Sequence, residues 1–184
     1  MRKAMKEIRL WDYESPVGRL VLGDADGQLC LCDWPGSARH EAVVRRVCRA
    51  LGAETRRGQT ELLRRAATQL DEYFGMERRA FDLPLLMVGT AFQKAVWQAL
   101  LELPYGTVAT YGELAAMLCA RGVCKRGAAR AVGAAVGANG MSVVVPCHRV
   151  LAAGVSLGGY AGGLPAKRFL NGIESLARVQ AGET

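Results

Sequence analysis

Long apolar runs are missing from this sequence of 184 residues. A membrane-spanning helix needs about 20 mostly apolar residues, and no run of even about 18 occurs. The opening Met1-Arg2-Lys3 could begin a secretory signal, but Lys6, Glu7 and Arg9 interrupt the apolar stretch that such a signal requires. Internal repeats and low-complexity tracts are also absent. We therefore expect a soluble, cytoplasmic protein with no membrane partner.

Histidine is scarce, and the cysteines do not follow a metal-binding pattern. The chain has two histidines and six cysteines, without the small size or secretory start of a disulfide-bonded protein. This favours a reducing, intracellular setting. Cys30, Cys32, His40 and Cys48 could be combined as a zinc site, but their spacing fits no zinc finger or ribbon. We predict no metal ion.

Acidic residues are few in the second half of the chain. The net charge is +7, and residues 86–184 hold 9 basic side chains against 4 acidic ones, a net of +5. Residues 1–85 hold 15 against 13, a net of +2. Such a surface attracts a polyanion such as nucleic acid, although many basic proteins have no such partner. The charge alone therefore does not establish DNA binding.

The first half of the sequence predicts a small sheet covered by helices. Glu7–Tyr13, Arg19–Leu22 and Gln28–Asp33 have strand patterns separated by turns, which predicts an antiparallel sheet. Helical spacing of apolar residues follows in Ala38–Leu51 and again in residues 62–74. These two helices are expected to cover the sheet.

The linker Phe81–Gly89 contains Pro84, breaks the helical pattern and is expected to be extended. We place a domain boundary there, with one domain over residues 1–85 and a second over residues 86–184.

Helix-start signals are clearer in the second half. Thr90 with Gln93, and Thr110 with Glu113, fit the capping-box pattern. The first of these two helices is expected to end near Leu101 and the second near Cys119.

A third helix should span Gly127–Ala138, Ser142–Val145 should be a short buried strand, and Pro165 should be the first residue of the last helix. The second half is thus expected to be mostly helical.

Two of these short helices, Thr110–Cys119 and Gly127–Ala138, suggest a helix-turn-helix, which sets its second helix into a groove of DNA. Gly133 and several alanines, Ala129 among them, give the second helix a nearly side-chain-free surface. That surface suits close approach either to a neighbouring helix or to a sugar-phosphate backbone. Arg130 is a single long cation on this helix and could reach into a duplex, or could be an ordinary solvated arginine.

The segment Pro146-Cys147-His148 is the strongest candidate for chemistry. A free thiol is only a few per cent thiolate at neutral pH, so a nucleophilic cysteine needs a base or a positive charge nearby. His148 directly follows Cys147, and Glu174 could orient it in a triad-like relay. The alternative is a buried structural cysteine, which is the common fate of this residue type.

Linked motifs in the second half resemble the methylated-DNA-protein-cysteine methyltransferases (O6-alkylguanine-DNA alkyltransferases) in order and spacing over residues 89–174. The first half resembles the bacterial constitutive form. The motifs are Gly89-Thr90-Ala91-Phe92-Gln93, Val96-Trp97, Pro104-Tyr105-Gly106, Tyr111, Arg130-Ala131-Val132-Gly133, Asn139, Pro146-Cys147-His148-Arg149-Val150, Gly159-Tyr160 and Gly162-Gly163.

The resemblance implies a two-part α/β protein, with a ribonuclease H-like first domain and a mostly helical second domain that carries a winged helix-turn-helix-like motif. It implies direct, irreversible transfer of an alkyl group from O6-alkylguanine, and from O4-alkylthymine, in double-stranded DNA. Each monomer would act once and need no cofactor.

The resemblance also implies roles for residues at the reacting centre. Cys147 matches the acceptor, His148 the base that acts through a water, and Glu174 the acid that holds the histidine. Asn139 matches the residue that braces the cysteine turn. Tyr111 matches the tyrosine that rotates the phosphate and donates a proton toward guanine O6.

On the DNA side, Arg130 matches the finger that fills the space left by the flipped base, in a helix whose Ala129 and Gly133 lie against the minor groove. Four residues match the wall of the alkyl pocket: Val150, Gly158, Tyr160 and Ala161.

The sequence departs from the family pattern in three places. The segment Ala120–Arg126 is about five residues longer than the resemblance leads us to expect, and longer than an ordinary helix-turn-helix turn. Gly140 follows Asn139 where the family often has proline, and Ala152-Ala153-Gly154 lacks the usual polar turn residues. The long segment bears on DNA affinity, and none of the three bears on the sulfur chemistry.

Three other functions remain open from the sequence: a non-catalytic lesion sensor on the same fold, a cysteine hydrolase that uses Cys147 and His148, and a plain DNA-binding module. The presence of Cys147 argues against the sensor. A hydrolase would need an oxyanion hole, which the sequence does not indicate.

Overall fold

The computed structural model of the protein describes residues 6–155 and 157–180, and for residues 155 and 176–180 it describes the backbone alone. The internal contacts divide the chain into two compact units, and the division falls after Val88. The first unit combines a sheet with helices and the second is mostly helical, so the predicted two-part α/β architecture is confirmed.

A four-stranded sheet forms the centre of the first unit. Its strands are β1 (Lys6–Ser15), β2 (Gly18–Ala25), β3 (Gln28–Asp33) and β4 (Ala53–Arg57), in the order β3-β2-β1-β4. The first three pair antiparallel, whereas β4 runs parallel to β1. The predicted antiparallel pairing of the first three strands is confirmed, and the unpredicted strand β4 makes the sheet mixed at this edge. We did not predict β4 because only its first residue is buried, so it lacks an apolar alternation.

Helices α1 (His40–Leu51) and α2 (Glu61–Phe74) pack against this sheet, as predicted. Val43 and Val47 of α1 are buried in one cluster with sheet residues, because they lie four residues apart on one helix face. The linker Phe81–Gly89 is extended: the Leu29 amide donates to Pro84 O at 2.8 Å, and the Leu86 amide to Leu29 O at 2.9 Å.

Four helices dominate the second unit: α3 (Ala91–Leu101), α4 (Tyr111–Ala120), α5 (Ala129–Gly137) and α6 (Gly163–Gln180). Both predicted capping boxes are present, at Thr90 with Gln93 and at Thr110 with Glu113. Helix α6 begins at Gly163, two residues before the predicted start at Pro165, a common difference at helix ends. Helix α5 begins two residues later than predicted. The connector between α4 and α5 therefore comprises residues 121–128.

Trp97 of α3 ties the helical core together. Its side chain is 1% exposed, and its indole N–H donates to Ala135 O of α5 at 2.8 Å. A Cβ at Gly89 would lie 2.5 Å from Cη2 of the same ring, so only glycine fits there. Packing against Trp97 therefore explains why glycine begins the Gly89-Thr90-Ala91-Phe92-Gln93 motif.

A two-stranded parallel ladder places the start of α4 beside the segment after Cys147. Strand β5 (Ala109–Thr110) pairs with β6 (Val150–Leu151) in the register Ala109 to Val150 and Thr110 to Leu151. Tyr111, the first residue of α4, is thereby held close to the turn that carries the candidate nucleophile.

Candidate active site

Cys147 lies on an irregular buried turn, and the predicted strand Ser142–Val145 is wrong. Val143 has a φ of +70°, which no strand accepts and which is costly for a β-branched residue. Backbone bonds from Val145 N to Met141 O and from Cys147 N to Val145 O, both 2.8 Å, close successive turns. The run of valines suggested a strand because buried β-branched residues are typical of strands, but here the turn satisfies the backbone locally.

Asn139 braces this turn and contacts the sulfur. Its side-chain Nδ2 donates to Val145 O at 3.0 Å and to Cys147 Sγ at 3.2 Å, and its Oδ1 accepts from Met141 N at 2.9 Å. Asn139 and Cys147 are both buried, at 4% and 7% exposure. A buried N–H donor directed at sulfur stabilises the thiolate more than the thiol, since hydrogen bonds to a charged acceptor are stronger.

His148 and Glu174 form a buried pair next to Cys147. The histidine Nε2 lies 2.7 Å from Glu174 Oε1, and both side chains are almost fully shielded from solvent. Asn171 Nδ2 donates to the backbone carbonyl of His148 at 3.1 Å, which fixes the segment from α6. The structure thus brings together four of the sequence-predicted residues, Asn139, Cys147, His148 and Glu174.

Arg149 holds the carboxylate of Glu174 from the other side. Its Nε donates to Oε2 at 2.9 Å and its Nη2 to Oε1 at 3.0 Å, a two-point contact. Its Nη1 donates to Leu103 O at 2.7 Å, and the guanidinium lies 5.6 Å from the centre of the Tyr105 ring. The Gly106 amide adds a further bond of 2.9 Å to Glu174 Oε2. The Pro104-Tyr105-Gly106 motif therefore belongs to the site.

These contacts set the charges of the pair. Burial raises the pKa of Glu174, but hydrogen bonds and charges from His148 and Arg149 outweigh it and lower that pKa to about 2. Burial lowers the pKa of His148 below its ordinary value, and the attraction of Glu174 only partly opposes this shift. At neutral pH the site therefore combines a neutral imidazole with an ionised carboxylate, the states that a general base and its orienting group require.

Lys167 is a site residue that the sequence reasoning missed. It is fully buried on α6, and its Nζ donates to Val150 O at 2.6 Å, to Leu157 O and to Gly159 O at 3.5 Å. Burial lowers the pKa of Lys167, while attraction to Cys147 opposes that shift. No local sequence signal marks it, because its partners are backbone carbonyls of another segment.

Comparison with known proteins places this arrangement in a family. Two family models match the chain: "6-O-methylguanine DNA methyltransferase, ribonuclease-like domain" over residues 11–87, and "6-O-methylguanine DNA methyltransferase, DNA binding domain" over residues 91–176. The chain belongs to the 6-O-methylguanine DNA methyltransferase family. The predicted resemblance is thereby confirmed, as are the methyltransferase class and the link to DNA repair.

Relatives and solved structures of this family agree over nearly the whole chain. A methylated-DNA–protein-cysteine methyltransferase of Methanosarcina acetivorans is 39% identical over 163 residues, which are 88% of this chain and 95% of the relative. The Haemophilus influenzae protein of the same name is 37% identical over 171 residues, which are 92% of this chain and 88% of that protein. A crystal structure of Mycobacterium tuberculosis OGT in complex with DNA has a TM-score of 0.74 and 36% identity, and covers 93% of this chain and 94% of its own.

Helix α5, inside the segment that matches the family's DNA binding domain, has two distinct faces. Val132, Ala135 and Val136 are buried in the helical core. Arg130 is exposed. It lines an open cavity of about 570 Å³ together with small residues of α5 and of the segment just before that helix. The buried face supports the interpretation as helix packing, and the approach of the exposed face to a sugar-phosphate backbone stays a prediction.

Tyr111 lies against two glycines of the predicted site. A Cβ at Gly133 would lie 3.6 Å from Tyr111 Cδ1, and a Cβ at Gly158 would lie 3.7 Å from its Cε2. Gly158 also has a φ of +61°, which favours glycine. The ring of Tyr111 thus links α5, which carries Ala129 and Arg130, to the loop after β6.

The residues that match the pocket wall differ in exposure. Val150 is fully buried in β6, whereas Gly158, Tyr160 and Ala161 are half-buried in the loop before α6. Their role as the wall of an alkyl pocket stays a prediction.

Over residues 6–155 and 157–180, no helix is long and apolar enough to cross a membrane. The same described ranges contain no group of three or more His, Cys, Asp or Glu side chains placed to hold a metal ion. His40 instead pairs with Asp33, its Nδ1 lying 2.9 Å from Oδ2.

Proposed function

We propose that this protein repairs O6-alkylguanine in DNA, and O4-alkylthymine as well, by moving the alkyl group onto Cys147. The observation that supports this most directly is the set of buried side-chain contacts around Cys147 Sγ and the adjacent His148. Asn139 donates to Cys147 Sγ at 3.2 Å, and the adjacent His148 is held at 2.7 Å by Glu174. Family membership supplies the class of reaction, and these contacts supply an acceptor and a base.

The proton of Cys147 leaves first. Neutral His148 accepts it through a water, and the ionised Glu174 stabilises the imidazolium that results. Asn139 and the buried ammonium of Lys167 stabilise the thiolate that remains.

The thiolate then attacks the alkyl carbon. A sulfur–carbon bond forms as the bond from that carbon to guanine O6 breaks. The leaving base gains a proton from the Tyr111 hydroxyl, so it departs as neutral guanine. After the transfer, His148 carries one extra proton and Tyr111 lacks one, so the protons balance.

The product is a thioether, which is not hydrolysed under cellular conditions. Each molecule therefore acts once, and no cofactor takes part.

The alkylated base has to leave the duplex before this attack, since sulfur cannot approach the alkyl carbon in line within stacked DNA. Flipping costs a few kcal/mol, and less where alkylation has weakened the base pair. Helix α5 offers a surface of Ala129, Gly133 and other small residues for the minor groove, with Arg130 exposed to fill the vacated space. The net charge of +5 on residues 86–184 favours the approach of this unit to phosphates.

All of these reacting groups come from one chain, so we propose that a monomer acts on double-stranded DNA. The cytoplasmic location stays a prediction.

The variant Cys147→Ser tests the proposal. It should bind a duplex with one O6-methylguanine as tightly as the wild type, but accept no methyl group, because a serine hydroxyl is far harder to ionise than a thiol. Cys48→Ser, which changes a half-buried cysteine of α1, is the matched control and should keep full transfer. Transfer by Cys147→Ser at the wild-type rate would refute the acceptor role, and binding without transfer in the wild type would favour a lesion sensor.

A further inference from the structure

Two cysteines that the alkyl transfer does not use meet at the end of α4. Cys119 is the penultimate residue of that helix, and Cys124 lies in the connector of residues 121–128. Their Sγ atoms are 2.9 Å apart, and the Cys124 thiol also lies 3.7 Å from Ala115 O, one turn back along α4. Both residues are half-buried and both are free thiols.

The end of α4 explains why the two thiols meet. The Gly122 amide donates to Cys119 O and the Val123 amide to Leu118 O, each at 3.0 Å, and Gly122 has a φ of +73°. This is the Schellman arrangement, in which a glycine in the left-handed region reverses the chain after a helix. The reversal brings Cys124 back onto the last turn of α4. The backbone thus places the two cysteines side by side.

The distance fits a disulfide better than a shared metal ion. Two thiolates on one tetrahedral zinc ion, each at about 2.3 Å from the metal, are about 3.8 Å apart. At 2.9 Å the sulfurs of Cys119 and Cys124 are already closer than that, and no further His, Cys, Asp or Glu completes a metal-binding group with them within the described part of the chain.

Small reagents can reach the pair. Cys119 and Cys124 line an open cavity of about 660 Å³ with Ala115 and Arg126. The thiolate is the reactive form in disulfide exchange. The hydrogen bond to Cys119 raises the pKa of Cys124, so exchange should quicken as the pH rises above neutral.

We propose that Cys119 and Cys124 form a dithiol site that closes to a disulfide by exchange with a low-molecular-weight disulfide, locking the connector to the end of α4. One thiolate attacks the reagent, which forms a mixed disulfide and releases one small thiol. The second thiolate then attacks the protein sulfur of that mixed disulfide and releases the other small thiol. The two cysteines are oxidised, the reagent is reduced to two thiols, and the two cysteine protons pass to the released thiolates.

Trypsin provides a direct readout on the full-length protein. It cuts after Lys94, Arg121 and Lys125, so Cys119 falls in the peptide of residues 95–121 and Cys124 in that of residues 122–125. A disulfide between them yields a linked peptide pair that separates on reduction. After incubation with oxidised glutathione and alkylation of the remaining thiols, we expect this pair as the main product. The native protein should form it at a roughly tenfold lower ratio of oxidised to reduced glutathione than the protein in 8 M urea, because the fold holds the thiols together.

Thermal unfolding gives a second readout. Closing a short loop removes freedom from the unfolded chain, so the oxidised protein should melt about 4 °C higher than the reduced protein. Cys124→Ser is the control and should show neither the linked peptides nor the rise.

The proposal is overturned if each cysteine carries only its own glutathione, or if the linked pair forms as readily in urea. A Cys124→Ser protein whose melting temperature rises equally on oxidation would also contradict it.

Discussion

Replacing Glu174 with glutamine tests the electrostatics of the site, because it keeps the shape of the side chain and removes its charge. Contacts with His148 and Arg149 lower the pKa of Glu174 from 4.5 to about 2, although burial alone raises it. That shift corresponds to about 3 kcal/mol of stability at pH 7. Because the pKa is depressed in the folded state, this contribution is present above pH 4.5 and is lost as the pH falls towards about 2.

We expect Glu174→Gln to lower the free energy of unfolding at pH 7 by about 3 kcal/mol, since Arg149 stays buried without its counter-charge. Urea denaturation measures this directly. Glu102→Gln is the control: its carboxylate is partly exposed and pairs with Arg121, and the unfolding free energy should stay near the wild-type value. Adding Arg149→Met to Glu174→Gln should recover part of the loss, because it removes the unpaired charge. A loss below about 1 kcal/mol for Glu174→Gln, or strictly additive effects in the double variant, would refute this reasoning.

Three further predictions concern the transfer reaction. Burial lowers the pKa of His148, so the midpoint at which acid slows transfer to O6-benzylguanine should lie below pH 6.5, the ordinary value for histidine; a midpoint at or above 6.5 would contradict this. Asn139→Ala removes the donor to Cys147 Sγ and should slow transfer to the same free base about tenfold or more, whereas a rate within about twofold of wild type would exclude a role at the sulfur. Arg130→Ala should slow transfer from duplex DNA at least about tenfold and leave the free-base rate unchanged, and equal losses on both substrates would rule out the finger role.

Local sequence signals predicted most of the elements. The starts of α3 and α4 follow from Thr90 and Thr110, because a capping box satisfies backbone donors within four residues and needs no tertiary contact. Strand β4 escaped prediction because its pairing with β1 is a long-range contact on an exposed edge, where the apolar pattern is weak.

At the site, the sequence identified the reacting side chains. It did not identify the turn that carries Cys147 or the buried lysine beside it. Cys147, His148 and Glu174 could be named from motif and residue type. The turn that holds the sulfur was mistaken for a strand. The Asn139 side chain bonds to Met141 N and Val145 O across this turn, and no pattern of apolar residues records such bonds. Lys167 was missed for a related reason, since a buried lysine is stable only where backbone carbonyls converge on it.

The central claim is that Cys147 receives the alkyl group and keeps it. The most direct test is the intact mass of the protein after incubation with a duplex that carries one O6-methylguanine, followed by peptide mapping. The account predicts a gain of one methyl group per molecule, located on Cys147, with no further gain on longer incubation or with excess DNA. An unchanged mass despite binding to the lesion, or a methyl group on another cysteine, would contradict it.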